Sequence, residues 1–250
     1  MKIGFISDIH EDIISLDKAI QHFNSLDIDY IVCLGDITGY SYPHYNYKST
    51  RDASECVNII KKNCKHVVPG NHDLFAIKKT PSISRNFNYP ADWYQLPVNK
   101  REKLSKNKVW FYDKTDLQNN LTEKNINFLK SLNEFEIINA GNNNILISHF
   151  IYPDISGSSI KFPRSIFFFR KHFKFMKQNN CNISFCGHGH YNGAMIVNKL
   201  SFNIFKPGKY CLSDKPKIII VPCVAKSKSI NAITIFNTFD NSLELIEISK

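Results

Sequence analysis

The sequence predicts an α/β fold, and three observations carry that expectation. Short apolar runs alternate with helical periodicity up to about residue 70, and each run ends in a polar turn; beyond Gly193 the pattern changes to closely spaced strands. Lys2–Ser7 reads as a buried strand that stops at Asp8. Asp12 then offers an N-cap, and Ile13, Leu16, Ile20 and Phe23 recur at the spacing of one helical face. Tyr30–Leu34 is the next strand, closed by the turn Gly35-Asp36. Ala53, Val57, Ile60 and Cys64 mark a second helix face, and His66–Val68 is a short strand leading into Pro69-Gly70.

From about Pro81 to Asn133 the alternation lapses into a stretch rich in aromatics, Asn and Lys, with Leu121–Leu132 helical in pattern. It reads as a cap-like insertion (81–133) within one domain spanning 1–250. Ile145–Ser148 and Ile183–Cys186 resume the strands. Met195–Val197, Leu200–Phe205, Lys217–Val221, Ala232–Phe236 and Leu243–Ile248 follow in quick succession, which suggests antiparallel pairing near the end of the chain.

With 250 residues, 43% hydrophobic and 22% charged, the composition is that of an ordinary globular protein. No apolar run approaches the roughly 18–20 residues of a membrane span, so no membrane partner is expected. Met1-Lys2-Ile3-Gly4-Phe5 lacks the basic and apolar regions of a secretory leader, which places the protein in the cytoplasm. The seven cysteines form no C-x-x-C pair, so free thiols are expected and a structural zinc site is not. The net charge of +10 is unevenly spread: Ile155–Ser213 contains no Asp or Glu but holds Lys161, Arg164, Arg170, Lys171, Lys174, Lys177, Lys199, Lys206 and Lys209. Such a stretch concentrates anions or is a solvated face.

Five short motifs each put metal-binding side chains just after an expected strand. They are Asp8-Ile9-His10, Gly35-Asp36, Gly70-Asn71-His72-Asp73, Ser148-His149 and Gly187-His188-Gly189-His190. Loops at the carboxyl ends of strands are where α/β proteins build sites. Singly each motif reads as readily as a turn; together they supply more oxygen and imidazole donors than one ion takes, so two cations are the simpler inference.

In this order the motifs resemble the calcineurin-like metallophosphoesterase family, whose pattern is D-x-H, G-D, G-N-H-[DE], a lone His and G-H-x-H. The resemblance runs from Asp8 to His190. It implies a four-layer αββα sandwich of two mixed sheets flanked by helices. It also implies that Asp8, His10, Asp36 and His190 hold one metal and Asp36, Asn71, His149 and His188 the other, with Asp36 shared. Manganese is the first expectation, with iron, zinc or nickel as alternatives. Asn71 and His72 would meet the substrate. Two cations roughly 3.5–4 Å apart stabilise attacking and leaving oxygens and yield a bridging hydroxide at neutral pH. His72 would protonate the leaving alkoxide, or only hydrogen-bond the phosphate.

The chain departs from the protein-phosphatase pattern G-D-x-V-D-R-G. Gly35-Asp36-Ile37-Thr38-Gly39-Tyr40 lacks both the Asp that would pair with His72 and the Arg that would grip phosphate, and resembles the bacterial phosphodiesterase branch instead. Anion affinity is then expected from the metals or from the 155–213 stretch. Glu11 and Asp12 replace the usual Gly-Asn, with Asp12 read as a helix cap, and Phe150-Ile151-Tyr152 suggests a more aromatic pocket. Lys161–Lys174 mixes basic and aromatic residues; an amphipathic helix is favoured there over a single-strand binder, so nucleic acid is not claimed as a partner. The expectation is a hydrolase of small phosphodiesters or phosphomonoesters, with a small anionic phosphate ester, a nucleotide among the candidates, as substrate. The alternatives are a nuclease and a catalytically silent scaffold; retention of all seven ligands and His72 argues against the last.

Overall fold

The computed structural model describes residues 1–141 and 143–248. Lys2–Ile6 (β1) shows how the layers arise. Ile3 and Phe5 point to one apolar cluster and Ile6 to another, because successive side chains of a strand face opposite ways. Ile13–Asn24 (α1) follows, its first turn capped by Asp12, whose carboxylate accepts from the Ser15 amide at 3.1 Å. Leu16, Ala19, Ile20 and Phe23 are its buried stripe. Next come Tyr30–Cys33 (β2), Ala53–Asn63 (α2), Cys64–Val67 (β3) and a short helix at Asn71–Ala76 (α3). The segment expected to be an insertion holds a 3₁₀ turn at Trp93–Gln95, then Val98–Ser105 (α4) and Glu123–Ser131 (α5). Phe87, Trp93 and Val109 form a small apolar cluster of their own, whereas Leu129 of α5 joins the cluster around α1 and α2.

Phe135–Ala140 (β4), Asn143–Ser148 (β5), a 3₁₀ turn at Ile166–Phe169, Arg170–Gln178 (α6), Ile183–Cys186 (β6) and Ala194–Val197 (β7) come next. Phe202–Phe205 (β8), Gly208–Cys211 (β9), Lys217–Ile220 (β10), Ala232–Asn237 (β11) and Ser242–Glu247 (β12) complete the chain order. The strands form two six-stranded sheets, ordered β3-β2-β1-β11-β12-β9 and β4-β5-β6-β10-β7-β8. Both are mixed: β1 runs parallel to β2 and β5 to β6, while β11 pairs antiparallel with β1 and β7 with β10. Phe5, Val32, Ile147, Phe185, Ile219 and Leu243 fill the space between the sheets. Helices α1, α2 and α5 cover the outer face of the first sheet, and α6 that of the second. This is the four-layer αββα sandwich.

Two strands, β4 and β9, were not anticipated: β4 follows directly on the helical pattern, and β9 reads as turn because of its Pro207-Gly208 opening. Lys161–Lys174 is not one amphipathic helix. It runs as loop to Ser165, takes a 3₁₀ turn, and enters α6 only at Arg170. The Pro at 163 and the lack of an N-capping side chain keep the helix from starting earlier.

Candidate metal centre

The centre is built where the carboxyl ends of both sheets meet. After β1, Asp8 and His10 take left-handed backbone, with φ of 56° and 47°. Asp36, after β2, does the same at φ 51°. The two loops are stitched by main-chain bonds, Asp8 N to Gly35 O at 2.9 Å and Ile9 N to Asp36 O at 2.8 Å. His188 and His190, after β6, lie at φ 65° and 46°. Left-handed backbone at a non-glycine residue is strained, and such residues gather where a site over-determines them.

Glu11 is fully buried beside Asp8 and accepts from the Gly39 amide at 3.0 Å while pairing with Arg51. It therefore orients the second loop. Asp73 does the same from the third, accepting from the Gly70 amide at 3.0 Å and the Thr38 amide at 2.9 Å. The glycines allow close approach: a Cβ at Gly70 would lie 2.1 Å from Asp36 Oδ1, and one at Gly187 would lie 1.8 Å from Ser7 Oγ.

All seven expected donors come together. Asp8, His10 and His190 form one group, and Asp36, His149 and His188 another, with ligand atoms in each within 4.8 Å of one another. Asn71 stands beside them at the start of α3, and His72 forms a third group with His10 and Asp36. His190 Nε2 is 3.2 Å from both Asp8 Oδ1 and His10 Nε2, and His149 Nε2 is 3.1 Å from Asp36 Oδ2. The outward ring nitrogens are tied down: Nδ1 of His149 donates to Leu34 O at 2.7 Å and Nδ1 of His10 to Gly39 O at 3.0 Å. Both rings thereby present Nε2 to the centre.

Asn71 Oδ1, His149 Nε2 and His188 Nε2 are buried without a hydrogen-bond partner. Buried polar atoms are rarely left so, because each costs about 1–3 kcal/mol unless something coordinates it. A cation shared by these atoms removes that cost, and oxygen with imidazole nitrogen suits a divalent transition ion. The residues present therefore fit a metal centre.

The electrostatics divide the four histidine donors: burial works to lower them all, but Asp36 and Asp8 bring His149 up to about 9 and Asp8 holds His190 up. Burial works to raise the Asp8 and Asp36 carboxyls, but the imidazoles around them hold both well below the usual carboxylate range. Burial, with neighbouring histidines adding to it, pushes His10 and His188 down to about 3, so each keeps a lone pair free for a ligand bond.

His72 has a carboxylate partner after all. The motif lacks one, but Asp116 of the 81–133 segment lies 2.5 Å from its Nδ1. Burial would lower His72; Asp116 and then Asp36 override it and bring it up to about 9. Tyr112, from the same segment, accepts from Asn71 Nδ2 at 2.7 Å and so turns Oδ1 toward the centre. Neither residue carries a sequence signal, since no fixed spacing links them to the motifs.

Above the centre lies a cavity of about 430 Å³. The expectation that the 155–213 cations serve it fails: all nine are exposed and none lines it, whereas Lys228 does. Those cations ride on the outer faces of α6, β8 and β9 and their loops, turned toward solvent. Tyr152 likewise stacks on Phe175 with centroids 4.6 Å apart, and Phe150 is buried behind His188. The cavity's aromatic lining comes instead from Phe162 together with Tyr45, Trp110, Phe111 and Tyr112.

The calcineurin-like phosphoesterase model matches residues 1–192. An uncharacterized protein of Methanocaldococcus jannaschii is 27% identical over 183 residues, which cover 72% of this chain and 66% of that protein, just under two thirds of its length. Among solved structures, a metallophosphoesterase from Sphaerobacter thermophilus superposes with a TM-score of 0.67 at 19% identity, covering 100% of this chain and 88% of the other. A hypothetical protein from Pyrococcus horikoshii gives 0.61 at 13% identity, covering 99% and 88%. These likenesses agree with the αββα layering.

Proposed function

Because the chain belongs to the calcineurin-like phosphoesterase family, a family of phosphoester hydrolases, we propose that it hydrolyses small phosphodiesters or phosphomonoesters at a dinuclear centre. Asp8, His10, Asp36 and His190 would hold one cation and Asp36, Asn71, His149 and His188 the other, manganese being the first candidate. The observation that carries this reading is the convergence of seven donors from five loops with three buried ligand atoms left unbonded. When bound, the cations held by these residues would supply Lewis acidity toward the phosphoryl oxygens and would make a water acidic enough to act as nucleophile. The chain's own residues do the rest. Asn71, steered by Tyr112, and His72 line the cavity where a phosphoryl group would sit. His72, kept as imidazolium by Asp116, donates its proton to the departing alkoxide. Glu11 and Asp73 hold the loops, so no reorganisation is needed during the reaction.

Among the described residues no helix is long and apolar enough to cross a membrane. The seven cysteines, all free, support work in the reducing cytoplasm. A nuclease has less support, because none of the nine Lys and Arg side chains of the 155–213 stretch lines the cavity. The test is metal analysis of purified protein with assays of p-nitrophenyl phosphate and its bis-aryl diester. Activity should vanish in chelator, return with Mn²⁺, and be absent from Asp36→Asn and His188→Ala. Full turnover by metal-stripped protein would refute the reading.

A further inference from the structure

The cavity has two chemically unlike ends, with the donor cluster between them. Beside Asn71 and His188 the wall is aromatic. Phe162 lies parallel to the His188 ring with centroids 5.2 Å apart, and Trp110 stands 6.4 Å from Phe162 at 67°. Both are unusually open for such side chains, Trp110 39% and Phe162 36% exposed. Their main chains are nevertheless fixed to each other, since Val109 bridges Ser159, Trp110 N donates to Ser158 O at 2.9 Å and Ile160 N to Lys108 O at 3.3 Å. The two rings are thus held ready with one side uncovered.

Beside His10 and His190 the wall is polar and cationic. Tyr45 stands 5.0 Å from the His10 ring, and Ser229 Oγ donates to His190 O at 2.9 Å. Here the cavity runs into a second one of about 690 Å³, with which it shares His44, Ser227 and Lys228, and which Lys48 and Lys226 also line. Among the described residues, Asp36 is the sole acidic residue lining the first cavity, and none lines the second.

We propose that this double-ended slot selects a nucleotide-type substrate: a reacting phosphoryl group with a planar base toward Trp110 and Phe162, and a second anionic group toward Lys228, Lys226 and Lys48. The assignment builds on the phosphoesterase reading and narrows its substrate class. Stacking on aromatic side chains favours a base whatever its identity, and the acid-free lysine end attracts the second anion. A nucleoside diphosphate has this layout, with base and terminal phosphate on opposite sides of the inner phosphoryl group.

Only two tryptophans are present, and Trp93 is buried at 4% exposure, so the emission of Trp110 reports on the aromatic end. Manganese-loaded protein would be titrated with inorganic phosphate, ribose 5-phosphate, AMP and ADP, with tryptophan emission and calorimetry as readouts. AMP should quench emission and bind about tenfold or more tighter than ribose 5-phosphate, an advantage that Trp110→Ala abolishes. ADP should bind at least severalfold tighter than AMP, and Lys226→Ala/Lys228→Ala should remove that gain, bringing ADP down to the affinity of AMP. If AMP and ribose 5-phosphate bind equally without quenching while phosphate still binds, the base-stacking assignment is overturned and the phosphoesterase reading survives. If no phosphate species binds and no ester is hydrolysed, the underlying reading falls with it.

Discussion

Replacing Asp116 by Asn removes a charge from His72 while keeping shape and hydrogen-bonding capacity. The pair is well shielded, with side chains 14% and 2% exposed, so solvent screening discounts it little. Burial opposes the imidazolium, and Asp116 is the largest of the influences that favour it, ahead of Asp36. A value of about 9 against an ordinary 6.5 corresponds to about 3.4 kcal/mol in favour of the charged ring. Assigning about half of that to Asp116, the substitution costs the imidazolium roughly 1.5–2 kcal/mol and lowers its proton-loss midpoint by about 1–1.5 pH units. The direction follows from linkage: a raised imidazole contributes stability that is fully present below pH 6.5 and lost as pH rises through about 9. Two results are therefore expected of Asp116→Asn. The alkaline limb of kcat moves down by about 1–1.5 pH units, with turnover at pH 8 about 2–4-fold lower as the acid form is depleted. The loss of stability in urea melts is largest near pH 6 and disappears near pH 9.5. Profiles of manganese-loaded enzyme against the bis-aryl diester, with metal content measured in parallel, check both. An alkaline limb that stays in place, with turnover intact, would refute the role given to Asp116.

His72→Ala should lower turnover about 10²–10⁴-fold while both metals stay bound; loss of metal by elemental analysis would instead make His72 a ligand, as its grouping with His10 and Asp36 allows. Gly70→Ala should displace Asp36, whose Oδ1 would lie 2.1 Å from the new Cβ, weakening metal uptake in titrations and costing about 1–3 kcal/mol. Arg51→Met should strand Glu11, whose side chain is 1% exposed, and destabilise by about 3 kcal/mol at neutral pH. Burial already raises the Glu11 carboxyl and Arg51 opposes that, so the penalty should shrink as pH falls and the group protonates, as melts at pH 4.5 and 7.5 would reveal.

What the sequence made legible was whatever repeats with a period or follows a strand. The α1 stripe, its Asp12 cap and the donors at the ends of β1, β2, β3, β5 and β6 all stand at fixed offsets from apolar runs, and local chemistry sufficed to place them. Tyr112 and Asp116 belong to an irregular segment, where chain path rather than spacing decides which side chain meets Asn71 or His72. Charge misled for a related reason: a tally along the chain does not say which face a lysine occupies, and Lys228, outside the basic stretch, is the one that reaches the cavity. Phe162 was grouped with helical Phe residues, but Pro163 leaves it on a loop against His188.

Phe5 of β1 and Phe185 of β6 stack at 3.8 Å with their planes 9° apart, one from each sheet, just below the loops that carry Asp8 and His188. Four donors hang from the first sheet and three from the second, so the spacing of the donor groups is set by how the sheets are docked rather than by any single loop. That ring pair acts as a dowel, fixing the lateral alignment of two plates whose rims share one joint. Trimming either ring would let the plates slip by fractions of an ångström, and chemistry sensitive to such distances would change though no residue touching the substrate had been altered.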